Sequence, residues 1–201
     1  MSLNLYDNAF KLKLNNWTKN TELTILGPEE TAKMFSIIAD KTDDKPIKLP
    51  IISIKRTAGF TILDTAKRNL AFDGLKLEAN YEKAKQLNAI PISIPYQLDI
   101  YTRYQREADE LVRNIVFNII NYPKLDIIIP YHNDQYIHHS NIRLSGSVDD
   151  NSSIPERLIS GQFTRLTLPI IVDDAYLFDI RYNDTYTLEI TTQIDEIKDA
   201  L

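Results

Sequence analysis

The sequence predicts an α+β fold: a single mixed β-sheet flanked by two main helices, with a long hairpin or loop excursion. Three observations carry that expectation. Residues 92–104 alternate like a strand and pass directly into a segment whose apolar residues recur at helical spacing. A second helix start stands at Gly27-Pro28-Glu29-Glu30, with proline near the first helical position and two acids in the first turn. Short apolar runs, bounded by turn residues, supply further strands before and after these two segments. One sheet with helices packed on a face is the economical way to bury such elements.

Taken in order, residues 1–26 alternate weakly (Phe10, Leu12, Leu14, then Leu23 and Ile25) and read as an extended N-terminal arm or one to two strands. In the helix that follows, Ala32, Phe35, Ile38 and Ala39 share a face, and the turn-rich run 41–46 ends it near Asp40. Leu49 to Arg56 is a strand whose proline marks an edge or a start. Residues 57–91 form the excursion, and 92–175 the core sheet and helix. In the strand at 92–104, Tyr96, Leu98, Ile100, Thr102 and Tyr104 point one way. Gln97, Asp99, Tyr101 and Arg103 point the other, outward.

The helix after it buries Ala108, Leu111, Val112, Ile115, Val116, Ile119 and Ile120, and stops at Tyr122-Pro123. Asp126 to Tyr131 reads as a short buried strand, and Ile142 to Val148 as another. Phe163 to Val172 is the last major strand, closed by Asp173-Asp174. Residues 176–201 are a C-terminal segment in which one more strand is expected at 186–192. Together, residues 1–201 form a single domain.

Composition narrows the function. The chain is 43% hydrophobic and 25% charged, as ordinary globular proteins are. A net charge of −5 argues against a dedicated nucleic-acid binder, which would carry a basic stripe. There is no cysteine, hence no disulfide, thiolate metal site or cysteine nucleophile. The apolar runs are too short to span a bilayer, and residues 1–7 lack the features of a signal peptide. A cytoplasmic protein with no membrane partner is expected.

No constellation of residues spells out chemistry. His132, His138 and His139, with Asp134 nearby, match no metal-ligand spacing and fall in an expected polar loop. A small metal-dependent enzyme built on them is the reading from a different class. Asp173 and Asp174 could pair as carboxylates, but adjacent strand residues face opposite sides, so they read as turn acids or as partners for a neighbouring subunit's cation. The run 149–153 lacks the spacing of a calcium loop, and Ser145-Gly146-Ser147 misses the nucleophile-elbow frame. No phosphate loop or dinucleotide fingerprint is present. Eleven tyrosines offer rigid, amphipathic contact area. The expectation is no enzyme, no cofactor and no metal.

The run Pro95-Tyr96-Gln97-Leu98-Asp99-Ile100-Tyr101-Thr102-Arg103-Tyr104, followed by an acidic amphipathic helix, resembles the tail terminator and tail-completion proteins of contractile-tailed phages. The likeness is nearest to the proximal tail sheath stabilisers. Weaker likenesses lie in Leu166 to Ala175 and in Leu49 to Ile54. The chain is shorter than the enterobacterial stabiliser, so a sheath-clamping role of that protein's C-terminal extension is not carried over.

The resemblance implies a tail-terminator-like fold and a structural virion protein of the tail–neck junction, assembled in the host cytoplasm. It implies a homo-hexameric ring at the head-proximal end of the tail. Such a ring would end tube polymerisation, stabilise the sheath and join the tail to the neck. Its partners would be the tail tube protein, the tail sheath protein and neck or connector proteins. DNA would pass through without sequence-specific recognition. A head–tail connector adaptor is the alternative within the same class. Tyr101, Arg103, Asp173 and Asp174 are the candidate subunit interface.

Overall fold

The computed structural model describes residues 2–18, 23–31, 49–57, 59–63, 68–69, 88–131, 134–152 and 164–178. These form an α+β fold with one mixed sheet. Helix α1 spans Ser2–Trp17 and helix α2 spans Gln105–Asn121. The strands are β1 (Thr24–Leu26), β2 (Ile51–Arg56), β3 (Thr61–Ile62), β4 (Arg68–Asn69), β5 (Asn88–Thr102), β6 (Lys124–Tyr131), β7 (Asp134–Leu144), β8 (Asp149–Asp150) and β9 (Thr164–Phe178). Their main order is β1-β2-β5-β9-β7-β6. Only β1 and β2 pair in parallel; the other pairs are antiparallel.

The centre of the sheet is the β5–β9 pair, in register from Ala89↔Phe178 to Thr102↔Thr164. On the helix-covered face, Tyr96, Leu98 and Ile100 meet Leu168, Ile170 and Val172. Leu125, Ile127, Ile129 and Ile142 of β6 and β7 extend the same core. Helix α2 lays Ala108, Leu111, Ile115 and Ile119 onto it. It ends where expected, with the Tyr122 N–H donating to Asn118 O at 2.8 Å before Pro123. Ile120, expected in the buried stripe, is 67% exposed. It sits on the solvent side with Phe117, because the stripe in contact with the sheet is one residue narrower than the apolar pattern.

The N-terminal segment differs from the extended arm expected. Residues 2–17 form a helix whose Tyr6, Phe10 and Leu14 recur every fourth residue and are wholly buried. The alternation of Phe10, Leu12 and Leu14 misleads because Leu12 belongs to the outer face. The α1 and α2 helices are tied where Asn114 Nδ2 donates to Trp17 O at 3.1 Å. The helix start at Gly27 is present: Glu30 Oε2 accepts the Gly27 N–H at 2.7 Å, the half of a capping box that a glycine allows. Its continuation to Asp40 lies outside the described residues, as does the strand expected at 186–192.

Three strand expectations are corrected. The β6 strand is half-buried, with Leu125, Ile127 and Ile129 inside and Asp126 and Ile128 outside, because only one of its faces meets the helices. His138 and His139 lie in strand β7 and not in a loop, and β7 ends at Leu144, ahead of Val148. Finally, β9 does not close at Asp173-Asp174 but runs on to Phe178. The acids sit in a bulge: β9 takes three steps from Val172 to Ala175 while β5 takes two, from Ile94 to Ile92. Asp174 has φ 54°, a conformation that aspartate tolerates better than most side chains. In the excursion, β3 and β4 pair with β5 at 92–93 and 88–89, continuing the β2 partnership along its length.

Candidate functional site

The four interface candidates divide between two regions of the sheet. Tyr101 and Arg103 stand at the end of β5; Asp173 and Asp174 lie eight and nine residues beyond Arg165, the partner of Tyr101 on β9. At the rise of an extended strand this is about 25 Å. The outward-facing reading of Tyr101 is corrected: its side chain is 2% exposed, with the Arg165 guanidinium over its ring at 5.5 Å. Arg103 is exposed, and so is Tyr104.

Asp173 and Asp174 are held by their own sheet. Asp173 accepts from Ser93 Oγ at 3.2 Å and is ion-paired with Arg143. Asp174 accepts from Asn141 Nδ2 at 2.7 Å through its carboxylate. Its carbonyl accepts from Ser140 Oγ at 3.1 Å and from His138 Nε2 at 2.6 Å. A carbonyl has no proton to give, so the imidazole carries one on Nε2. Burial pushes the His138 pKa down, against the Asp174 carbonyl, so the ring is neutral at neutral pH. His139, on the opposite face of β7, turns Nδ1 to Asp126 at 2.6 Å. The two histidines therefore do not converge, and His132 lies outside the described residues. Among the described residues no group of three or more potential ligands gathers to hold a metal.

Two polar clusters were not visible in the sequence. The first surrounds Asp99, which is wholly buried on the sheet face away from the helices. Its carboxylate accepts from Thr167 Oγ1 at 2.7 Å and Gln97 Nε2 at 2.8 Å, and pairs with Lys55 Nζ at 3.0 Å and Arg165 Nη2 at 3.3 Å. Burial opposes its charge, but the bonds from Gln97, Thr167 and Lys55, with the charge of Lys55, outweigh that cost. They hold its pKa below the ordinary range. The second joins α1 to the sheet. Asp7 accepts from the Tyr96 hydroxyl at 2.7 Å and faces Arg56 at 3.5 Å. Beside it, the Tyr6 hydroxyl donates to Tyr176 O at 3.3 Å and accepts the Tyr176 N–H at 2.7 Å. Burial pushes the pKa of both Tyr6 and Tyr96 upward.

These clusters fasten elements to one another; none sets a nucleophile beside a base. The arrangement is that of a rigid α+β scaffold whose polar groups brace the sheet from both faces. No helix among the described residues is long and apolar enough to cross a membrane.

No family model matches the chain. It is similar to the tail completion protein gp15 of Enterobacteria phage T4, with 26% identity over 164 residues. That match takes in 77% of this chain and 53% of the phage protein, so the chain spans about half the length of the curated relative it matches. The resemblance to tail-completion proteins of contractile-tailed phages thus extends well beyond the strand-to-helix segment.

Proposed function

We propose that the chain is a structural tail-completion protein of a contractile-tailed phage. It acts as a six-membered ring on the head-proximal end of the tail, where it ends tube polymerisation, stabilises the last sheath layer and joins the tail to the neck. The similarity to gp15 over 164 residues is the observation that carries this reading. The fold is compatible with it. A sheet braced on both faces by Asp7–Tyr96 and Asp99–Lys55–Arg165 is a stiff block for a ring. Ring contacts are heterologous and need no self-complementary patch.

Subunits would meet through exposed groups at the β5–α2 corner, Arg103 first, with Asp174 available on the bulge. An acidic balance of −5 suits a ring through which DNA slides without sticking. The tube, sheath and neck proteins are its partners. The test is to image the purified protein mixed with tail tubes and sheath. Six-membered rings capping the head-proximal tube end are expected. A monomer that ignores tubes and sheath overturns the reading, and rings that bind only the portal side assign the chain to the connector instead.

A further inference from the structure

Two apolar pairs stand on the surface, one on each side of the sheet. On α2, Ala108, Leu111, Ile115 and Ile119 face the sheet, and the line opposite them runs through Arg113 and Phe117, with Ile120 beside it. Phe117 and Ile120 are 61% and 67% exposed. In β6, Leu125, Ile127 and Ile129 enter the core, which turns Ile128 to the other face of the sheet. There it stands directly opposite Ile137 of β7, and the two are 53% and 38% exposed. Large apolar side chains grouped in this way among polar residues mark a contact surface.

The two patches match in spacing and in charge. Helix residues three apart have Cβ atoms about 5–6 Å apart, and directly paired strand residues about 4.5–5.5 Å apart. A ridge of Phe117 and Ile120 therefore seats on the Ile128–Ile137 pair much as α2 seats on its own sheet. Arg113 stands one turn before Phe117, and Asp126 stands two residues before Ile128 on the same face. Arg113 has Glu110 at 3.7 Å, an exposed pair that contributes little. Asp126 holds His139 at 2.6 Å through one oxygen, and a carboxylate has room for further donors. Two copies meeting α2 to α2 would leave these charges unused. Residues 114–123 carry no charge, so an antiparallel helix pair centred on Phe117 sets Arg113 beside Asn121, and a parallel pair sets it against its own twin.

We propose that the outer face of α2 in one copy docks on the outer face of the β6–β7 pair in the next. Phe117 and Ile120 meet Ile128 and Ile137, and Arg113 meets Asp126. The two surfaces lie on opposite sides of the subunit, so the contact is head-to-tail and propagates until a ring closes. Arg103 starts the same helix, and Asp174 is bound by Asn141 on the same sheet face, so both belong to these two surfaces. This is the subunit contact of the ring proposed above, and it rests on that reading for closure at six.

The chain has no native cysteine, which keeps the test clean. Full-length protein carrying Arg113→Cys and Asp126→Cys is treated with a short thiol-to-thiol cross-linker, once concentrated in solution and once on tail tubes. The two sites of one copy face away from each other across helix and sheet, so the linker joins different copies. A ladder of covalent oligomers is expected, about tenfold stronger than the product of either single-cysteine variant. A mixture of the two single variants should stop at dimers. Adding Phe117→Gln to the double variant is expected to weaken the ladder about tenfold with the urea midpoint unchanged. Dimers from Arg113→Cys alone would mean that helix meets helix and would overturn the proposal, as would an undiminished ladder with Phe117→Gln. Protein that caps tubes without forming the ladder overturns this contact and leaves the tail-completion reading standing. A ladder in solution from protein that ignores tubes upholds the contact and overturns that reading instead.

Discussion

The Tyr96 hydroxyl, in the middle of β5, donates to Asp7 Oδ1 of α1 at 2.7 Å, with both groups inside the core. This bond fixes the N-terminal helix on the sheet. It also leaves a carboxylate in an apolar setting. Burial, partly offset by the bond from Tyr96 and by the charge of Arg56, raises the Asp7 pKa above its usual 3.8. A raised acid pKa stabilises the fold most fully below the ordinary value, and that contribution is lost as pH rises through the raised one. Tyr96→Phe removes that bond and leaves the buried carboxylate to Arg56, and is expected to cost about 1–3 kcal/mol at neutral pH, read from urea unfolding. Asp7→Asn keeps a bond to Tyr96 and should flatten the acid-side pH dependence.

Asp99 has the opposite sign. Its pKa is held below 3.8, so its contribution is present above that value and disappears as pH falls through the lowered one. Asp99→Asn removes the buried charge on which Lys55, Thr167 and Gln97 converge and is expected to cost about 3–5 kcal/mol. Lys55 lies partly in water, 35% exposed, so Lys55→Met should cost distinctly less. Equal losses in the two variants would mean that Lys55 is as essential to the cluster as the carboxylate.

The packing of α2 gives a sharper contrast. Ile115 is wholly buried and Ile120 is 67% exposed, although the periodic pattern placed them in one stripe. Ile115→Ala is expected to destabilise by about 2–5 kcal/mol in denaturant unfolding. Ile120→Ala should stay within about 0.5 kcal/mol of the parent. A large loss at Ile120 would mean that its side chain is covered.

His138 is neutral because burial beneath Tyr176 and Phe178, whose rings lie at 5.1 and 6.3 Å, disfavours its charge and His139 adds to this, against the opposing pull of the Asp174 carbonyl on Nε2. Its lowered pKa makes its contribution present above 6.5 and lost as pH falls through the lowered value. The unfolding midpoint should therefore drop as pH falls below about 6.5. His138→Phe should remove that part of the drop.

The strand-to-helix segment was legible because two strong periods meet in it, with Tyr96, Leu98 and Ile100 facing the core and Leu111 and Ile115 covering them. The N-terminal helix was not, since a period of two through Phe10, Leu12 and Leu14 also fits a helix whose outer face carries one leucine. Tyr101 was placed outward by alternation alone. Alternation tells which side a residue takes, but not that the second side is itself closed over Asp99 and Arg165. Those partners lie 66 residues apart in the sequence, so no local spacing could announce them. The acids of β9 looked like an end because Asp-Asp usually marks a turn. They mark a bulge because Arg143, Asn141 and Ser93 are there to bind them.

That revision separates two residues once assigned to one interface. Tyr101 is core, so Tyr101→Ala should cost about 3–5 kcal/mol and abolish assembly by unfolding the subunit. Arg103 is exposed, and Arg103→Ala should leave stability within about 0.5 kcal/mol. If the β5–α2 corner meets a neighbouring subunit, the folded Arg103→Ala protein should cap tail tubes about tenfold less well, since truncating a central interface arginine commonly costs more than 1 kcal/mol. Thermal unfolding and tube-capping titrations on the same samples separate the two effects. Normal capping by a normally folded Arg103→Ala protein would move the subunit contact away from this corner, toward the bulge at Asp174.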